Sequence, residues 1–240
     1  MEEIKMKPVV LRGSFSVKQK TYLTPHYIRV IFTGDDIDQF RKVTVGVNNK
    51  IFLLDKNQAA IRRTYTLRNL NLETKEMAVD FVAHGEEGPA SAWAIHAAAG
   101  DVVEIGMKDK QEPLYPKADW YLLAGDHTAL PVISVILETL PAIAEGAAFI
   151  HVGSATDMLD IDSPSKVKIN WIIGDHLQSP NLLQKAVQGV TIPENQSKYV
   201  FLAAEAEVVK DLRNYFKEKD LQREEFSAFA YWKYGVSEGG

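Results

Sequence analysis

The chain of 240 residues contains no cysteine. This absence excludes disulfide bonds, thiolate nucleophiles, cysteine-ligated iron–sulfur clusters and thiolate zinc sites. The six histidines form no H-x-H or H-E-x-x-H pair, so the sequence predicts no intrinsic metal site. Any redox chemistry therefore needs a bound organic cofactor.

The sequence also lacks a long hydrophobic run and an excess of basic residues. No stretch approaches the roughly 18 apolar residues that span a bilayer, and the first residues contain no apolar signal core. The 27 basic and 32 acidic residues are mixed along the chain and give a formal net charge of −5, which is unlike a nucleic-acid binder. We expect a soluble, cytoplasmic and monomeric protein that binds neither nucleic acid nor membrane.

The first half of the chain has the pattern of an antiparallel β-structure. Short runs rich in Val, Ile, Phe and Thr, separated by turn residues, predict strands at 12–22, 26–33, 50–54, 63–70, 76–82 and 101–106. A six-stranded barrel is the natural closure of such strands. A helix at 91–99 is predicted between Gly88-Pro89 and Gly100.

The second half alternates strands with helices. The sequence predicts strands at 120–124, 147–153, 168–174, 199–203 and 226–232, and helices at 128–140, 181–188 and 205–219. Apolar strands such as 171–173 indicate burial on both faces, hence a Rossmann-like α/β domain with a parallel sheet. The proline-flanked stretch 112–118 is the expected linker, which gives predicted domains at 1–116 and 117–240.

Residues 63–68, Arg-Thr-Tyr-Thr-Leu-Arg, have the chemistry to bind a flavin nucleotide. Guanidinium groups bind a diphosphate, an aromatic ring stacks on the isoalloxazine, and a hydroxyl bonds near ring atom N5. Strand alternation predicts two faces, one with Arg63, Tyr65 and Leu67 and the other with Thr64, Thr66 and Arg68. A surface strand with solvated arginines is the alternative, and this segment alone leaves both readings open.

The turn Gly88-Pro89-Ala90-Ser91 precedes the predicted helix. A helix N-terminus built from small residues presents free N–H groups to phosphate, although these residues also favour turns for backbone reasons alone. With two arginines upstream, diphosphate binding is the better interpretation. His84 and Gly85 would lie near the same ligand, and a histidine bonded within the protein is an equal alternative.

These segments resemble motifs of the siderophore-interacting proteins, a branch of the ferredoxin reductase-like flavoenzymes that reduce ferric siderophores. Residues 63–68 resemble the family's R-x-Y-T-x-R motif. Residues 84–91 resemble its "HG..GPAS" segment, 125–131 its "GDxTALP" turn, and 203–206 with 230–235 its "AGEA" and "GYWRxG" endings. The four motifs occur in the family's order and span most of the chain.

The resemblance implies FAD as the cofactor, lying between the two domains. The implied FAD-binding residues are Arg63, Thr64, Tyr65, Thr66, Arg68, His84, Gly85, Gly88, Pro89, Ala90, Ser91, Asp126 and Thr128. NADH, NADPH or reduced ferredoxin would supply electrons, and a chelated ferric ion would accept them one at a time and leave as Fe(II). No catalytic acid or base is needed, because electrons pass through the flavin.

Ferric siderophores are commonly anionic, so the substrate pocket is expected to be basic. The candidates are Lys50, Lys108, Lys110 and Lys233, the last at a position where the family usually has arginine. For each lysine, a solvated surface charge is the alternative.

The second domain has no G-x-G-x-x-G fingerprint at its first strand-to-helix turn. Asp126 there, and Glu205 and Glu207 later, would repel a pyrophosphate, and Asp126 also suits a helix cap. Residues 153–160 contain no Lys or Arg for the 2′-phosphate of NADPH, so we predict no strong preference for NADPH over NADH. The alternative functions are a general flavin or ferredoxin reductase, a non-catalytic flavin- or siderophore-binding protein, and a barrel without cofactor.

Overall fold

The computed structural model describes residues 9–54, 57–86, 88–109, 112–175, 181–219 and 221–236. The chain forms two compact units, the first ending at Leu114 and the second beginning at Tyr115. This division lies within the proline-flanked stretch 112–118. No helix of the described residues is long and apolar enough to cross a membrane.

The first unit is a closed antiparallel barrel. Its strands are β1 Val10–Thr24, β2 Tyr27–Thr33, β3 Asn48–Leu54, β4 Ala60–Asn71, β5 Glu76–Val82 and β6 Val102–Lys108. They pair in the order β1-β2-β5-β4-β3-β6, and β6 closes the barrel on β1. The predicted six-stranded barrel is confirmed, and every predicted strand lies within a few residues of its observed bounds.

The barrel interior is filled by one side chain from every second residue of its strands. In β3, for example, Asn49, Ile51 and Leu53 are buried while Lys50 and Leu54 are exposed. This alternation arises because successive side chains of a strand point to opposite faces. The buried side chains form a core of mainly aliphatic and phenyl groups. The alternate residues of each strand therefore face outward.

Helix α1, Pro89–His96, packs against this core through Ala90 and Ala94. Trp93 of α1 stacks on Phe32 with a ring-centroid distance of 6.1 Å. The helix was predicted to run to residue 99, and this is wrong. It ends at His96 because Ala97 has an extended ψ of 133° and closes the last turn through its N–H.

The second unit is an α/β sandwich. Its strands are β7 Trp120–Asp126, β8 Glu145–Val152, β9 Lys166–Ile173, β10 Lys198–Glu205 and β11 Phe226–Trp232, and its helices are α2 Leu130–Thr139, α3 Leu182–Gln188 and α4 Ala206–Lys217. All strand pairs are parallel, in the order β11-β10-β7-β8-β9. The predicted Rossmann-like architecture is confirmed.

Helices cover both faces of this sheet. Ala124 of β7 lies in a core cluster with residues of α3 and α4. The next residue, Gly125, faces the start of α2, where an added Cβ would come within 2.6 Å of the Ala129 Cβ and within 2.8 Å of Ile133 Cδ1. The strand order reverses between β7 and β10, which is where doubly wound sheets form a binding crevice.

Candidate functional site

The segment 63–68 lies in the middle of β4 and is only partly exposed. Leu67 is fully buried in the barrel core, and Thr66 is also buried. The ring of Tyr65 packs on Phe81 with a centroid distance of 4.4 Å, and Tyr65 as a whole is partly exposed. Thr64 accepts a hydrogen bond from the Lys50 ammonium of β3. The segment is therefore anchored to the barrel by its apolar side chains.

The predicted alternation does not extend to Arg68. The pairing of β4 with β5 shifts between Leu67 and Asn69, so Arg68 is the extra residue of a β-bulge. A bulge re-aims the side chain that it carries, and bulges are frequent beside binding sites. The side chain of Arg68 is only 14% exposed, and its Nε lies 3.8 Å from Oδ2 of Asp80.

Asp80 and Arg29 complete an ion cluster that sequence reasoning missed. The Arg29 guanidinium binds both Asp80 carboxylate oxygens, at 2.7 and 2.8 Å. A lone acid in the apolar run Met77 to Val82 was the available signal, because a buried carboxylate needs a cationic partner. Two guanidiniums thus share one carboxylate, and the cluster carries a net positive charge.

The segment 84–91 is folded by its own hydrogen bonds. The Ser91 hydroxyl accepts from the His84 N–H at 3.0 Å and donates to the Gly85 carbonyl at 2.7 Å. Gly85 has a φ of 99°, a conformation that favours glycine. At Gly88, an added Cβ would lie 2.5 Å from His84 Cε1, so the imidazole rests against this glycine. The Ser91 side chain therefore holds this turn in shape.

The barrel brings segment 63–68 close to helix α1, whose first turn contains the end of segment 84–91. Phe81, at the end of β5, contacts Tyr65 on one side and Trp93 of α1 at 5.5 Å on the other. Beside them, Asn49 is fully buried with its Cα paired to that of Tyr65, and neither amide atom has a hydrogen-bond partner among the described residues.

These residues fit an FAD tail and ring. Guanidiniums and the start of a helix suit a diphosphate, a partly exposed tyrosine suits a flavin ring, and unused amide groups suit a polar ligand. The role of each individual residue stays a prediction. Pro89 and Ala90 begin α1, where Ala90 is buried in the core.

The predicted substrate lysines fall into two groups. Lys50 of β3 is exposed and pairs with Thr64 on one side and Gly106 on the other. Lys108 is exposed two residues farther along β6, so both ammonium groups lie on the outer barrel face. Lys233 is exposed in the second unit. Lys110 lies outside the described residues.

Asp126 ends β7 at the strand-order reversal of the second unit and is fully buried. Its Oδ1 accepts from the Thr128 N–H at 2.9 Å and the Thr128 hydroxyl at 2.5 Å. Its Oδ2 accepts from the Glu205 N–H at 2.9 Å and from Trp232 Nε1 at 2.7 Å. The carboxylate therefore ties three strand ends together, and its predicted contact with a cofactor stays a prediction.

The same sheet edge carries further carboxylates. Glu205 caps α4 by accepting from the Glu207 and Val208 N–H groups. Glu207 is exposed, and its pKa is lowered by the hydrogen bond and charge of Lys210 and, to a lesser degree, by Lys233. With Asp211, these residues line a cavity of about 200 Å³ at the carboxyl ends of the strands.

Two family models match the chain. A model described as siderophore-interacting FAD-binding domain matches residues 54–109, and one described as siderophore-interacting protein matches residues 118–235. The ferric vibriobactin reductase ViuB of Vibrio cholerae is 32% identical, over 92% of this chain and 89% of the relative. The chain belongs to the siderophore-interacting protein family.

Solved structures of the family agree. A siderophore utilization protein from T. fusca has a TM-score of 0.84 at 27% identity and covers 98% of this chain and 97% of its own. The siderophore-interacting protein SipS from Aeromonas hydrophila has a TM-score of 0.84 at 29% identity, with 96% and 95% covered. The predicted family, its FAD cofactor and the FAD-binding oxidoreductase class are confirmed.

Proposed function

We propose that this chain is an FAD-dependent reductase of ferric siderophores that takes electrons from NAD(P)H or reduced ferredoxin and releases Fe(II) in the cytoplasm. The observation that carries the proposal is the packing of Tyr65, from segment 63–68, and Trp93, from helix α1, on either side of Phe81, in a barrel that matches the family's FAD-binding model. The sequence relative ViuB, a ferric vibriobactin reductase, supports the choice of substrate class.

In this proposal the barrel binds FAD through charge and shape. Arg63 and Arg68 hold the diphosphate, because guanidinium–phosphate hydrogen bonds are charge-assisted and frequently bidentate. Tyr65 offers its partly exposed ring to the isoalloxazine, and Thr66 bonds near N5. The backbone at the start of α1 meets the diphosphate, with Ser91 and Gly85 keeping that turn in shape.

A bound flavin would couple a two-electron donor to a one-electron acceptor. The side chains of this cysteine-free chain cannot supply that redox chemistry themselves. One NAD(P)H then reduces two Fe(III) chelates to Fe(II), with release of NAD(P)⁺ and one proton. Two reduced ferredoxins supply the same two electrons. Hard oxygen donors hold Fe(III) better than Fe(II), so reduction frees the metal from its chelator.

The lysines would collect the anionic ferric chelate. Lys50 and Lys108 lie on the outer face of adjacent strands, where residues two apart on neighbouring strands are about 7–8 Å from each other. Lys50 also donates to Thr64 of the 63–68 segment, which places its charge beside the proposed flavin strand. Lys233 of the second unit stays a separate candidate for the same chelate.

The roles assigned to the two parts of the chain follow the same proposal. Residues 1–116 form the FAD-binding domain, and 117–240 form an NAD(P)-binding-like domain of a monomeric enzyme. The carboxylates at the sheet edge of the second unit disfavour a tight pyrophosphate clamp, since they carry the same sign of charge as the ligand. Weak nicotinamide binding, or a protein donor, is therefore expected.

Anaerobic stopped-flow absorbance with the FAD-loaded protein tests this function. NADH, NADPH or reduced ferredoxin is mixed first, and a ferric siderophore is mixed with the reduced protein second. We expect at least one donor to bleach the flavin absorbance. The reduced flavin should then be reoxidised at a rate proportional to the concentration of ferric siderophore. Ferric citrate and oxidised ferredoxin are the comparison acceptors. Faster reoxidation by either of them would favour a general reductase, and a protein that binds no FAD would contradict the proposal.

A further inference from the structure

Asp80 is a carboxylate in β5, a strand whose five central residues are all buried. Its side chain is 1% exposed, and its neighbours in β5 include the buried residues Met77, Val79 and Phe81. Removing a carboxylate from water costs several kcal/mol unless cations and hydrogen bonds compensate. A residue of this kind is retained where its charge has a specific task or is paired by the fold.

The two cations on Asp80 hold it differently. Arg29, directly opposite on β2, makes two short bonds to both carboxylate oxygens. Arg68 makes one longer contact of 3.8 Å to Oδ2. The bidentate pair fixes the carboxylate. The longer Arg68–Asp80 contact orients the second guanidinium towards the carboxylate, but holds it less tightly than the two short bonds hold Arg29.

The β-bulge makes this orientation necessary. Arg68 is the extra residue between Leu67, which pairs with Val79, and Asn69, which pairs with Ala78. Regular strand alternation therefore does not determine where its side chain points. An arginine side chain has about 2 kcal/mol of rotamer entropy to lose, so a preformed contact lowers the cost of binding an anion.

We propose that Asp80, fixed by Arg29, is a positioning residue that holds the Arg68 guanidinium ready for the diphosphate of FAD. This rests on the proposed function, in which Arg68 binds that diphosphate. The segment 63–68 supplies the cation, and β2 and β5 supply its orientation. Arg29 and Asp80 act through Arg68 and need no contact with the flavin.

FAD and riboflavin separate this role from general support of the fold, because riboflavin lacks the diphosphate. The double variant Arg29→Gln/Asp80→Asn removes one cation and one anion, so the net charge of the barrel is kept. We expect its dissociation constant for FAD to rise about tenfold, the cost of immobilising one rotamer-rich side chain, while that for riboflavin changes less than about twofold. Binding is measured by quenching of flavin fluorescence.

The variant Arg29→Lys keeps a cation beside Asp80 but loses the planar fork that binds both carboxylate oxygens, so we expect its loss of FAD affinity to be smaller than that of the double variant. Equal weakening of FAD and riboflavin by the double variant, or no weakening of either, would overturn the inference. Wild-type protein that binds neither flavin would overturn the proposed function and the inference that rests on it.

A measurement on the wild-type protein keeps the inference testable if the double variant does not fold. The Arg68 Nε–H order parameter is measured by NMR relaxation in the flavin-free protein. A preformed guanidinium gives a value near that of rigid backbone, about 0.85, whereas a value below about 0.6 marks a flexible side chain and contradicts the inference.

Discussion

The barrel strand β4 and the sheet edge of the α/β unit differ in the groups that neutralise their buried carboxylates. In the barrel, the carboxylate of Asp80 is shared by two guanidiniums, so positive charge remains beside the 63–68 segment. At the sheet edge, Asp126 is buried among four hydrogen-bond donors, and Glu205 caps α4. The barrel therefore has cations beside the proposed site for an anionic ligand. At the sheet edge, the N–H groups of Glu205, Glu207, Val208 and Trp232 already bind the carboxylates of Asp126 and Glu205.

This difference separates two roles that a two-domain reductase combines. A diphosphate tail needs fixed cations and free N–H groups, and the proposed function assigns these to the barrel and the start of α1. The α/β unit keeps the fold associated with dinucleotide binding, but its first turn is closed around Asp126. Flavin binding is accordingly expected to be strong and nicotinamide binding weak.

The largest effect is expected from Asp126→Asn in the α/β unit. An amide in place of the carboxylate turns one acceptor into a donor that faces N–H groups, so the unfolding free energy should fall by about 3 kcal/mol. Urea denaturation measures this change. FAD affinity below the unfolding transition should be unchanged. A loss of FAD affinity without a loss of stability would instead indicate that the Asp126 carboxylate contacts the cofactor.

The next largest effect is expected from Arg68→Ala in the barrel. Loss of charge-assisted bonds to the diphosphate should weaken FAD binding by about 100-fold, while riboflavin binding changes little. Isothermal titration calorimetry with both flavins measures the difference. Arg41→Ala is the control, because its Nε bonds to the Asp38 carbonyl away from segment 63–68. An Arg68→Ala protein with wild-type FAD affinity would remove this arginine from the site.

A smaller effect is expected from Lys233→Ala. Loss of one exposed cation should weaken capture of an anionic ferric siderophore by about threefold at low salt and less at high salt, because salt screens surface charges. FAD content should stay constant. Lys217→Ala, on the exposed last turn of α4, is the matched control. The same salt dependence in wild type and Lys233→Ala would exclude Lys233 from the pocket.

The smallest difference is expected between the two nicotinamides. No Lys or Arg occurs in residues 153–160, where the 2′-phosphate of NADPH would be read, so the rates of flavin reduction by NADH and NADPH should differ by less than about tenfold. Anaerobic stopped-flow traces at matched concentrations measure both rates. A hundredfold preference for NADPH would show that a cation from elsewhere reaches the nucleotide.

The sequence predicted the elements of this fold well because local patterns determine them. Alternating β-branched residues identified the barrel strands, and continuous apolar runs identified the parallel sheet. The early end of α1 was missed because alanine is a good helix former, whereas the backbone of Ala97 is extended in the structure. Local propensity gives no information about that backbone turn.

The sequence predicted the residues of the candidate site but not the Arg29–Asp80 ion pair that contacts Arg68. Segments 63–68 and 84–91 stood out because each has an unusual combination of side chains. The Asp80 cluster depends on pairs 51 and 12 residues apart in the chain, and on a bulge that a period of two cannot reveal. Arg29 in the apolar strand β2 and Asp80 in the apolar run Met77 to Val82 were the available signs in the sequence.

The proposed function depends on binding of the FAD diphosphate by Arg63 and Arg68 of the barrel. A crystal structure of the protein with FAD tests it most directly. We expect guanidinium nitrogens of both arginines at about 2.8 Å from phosphate oxygens, with the diphosphate at the start of α1. A diphosphate bound away from both arginines would contradict the account.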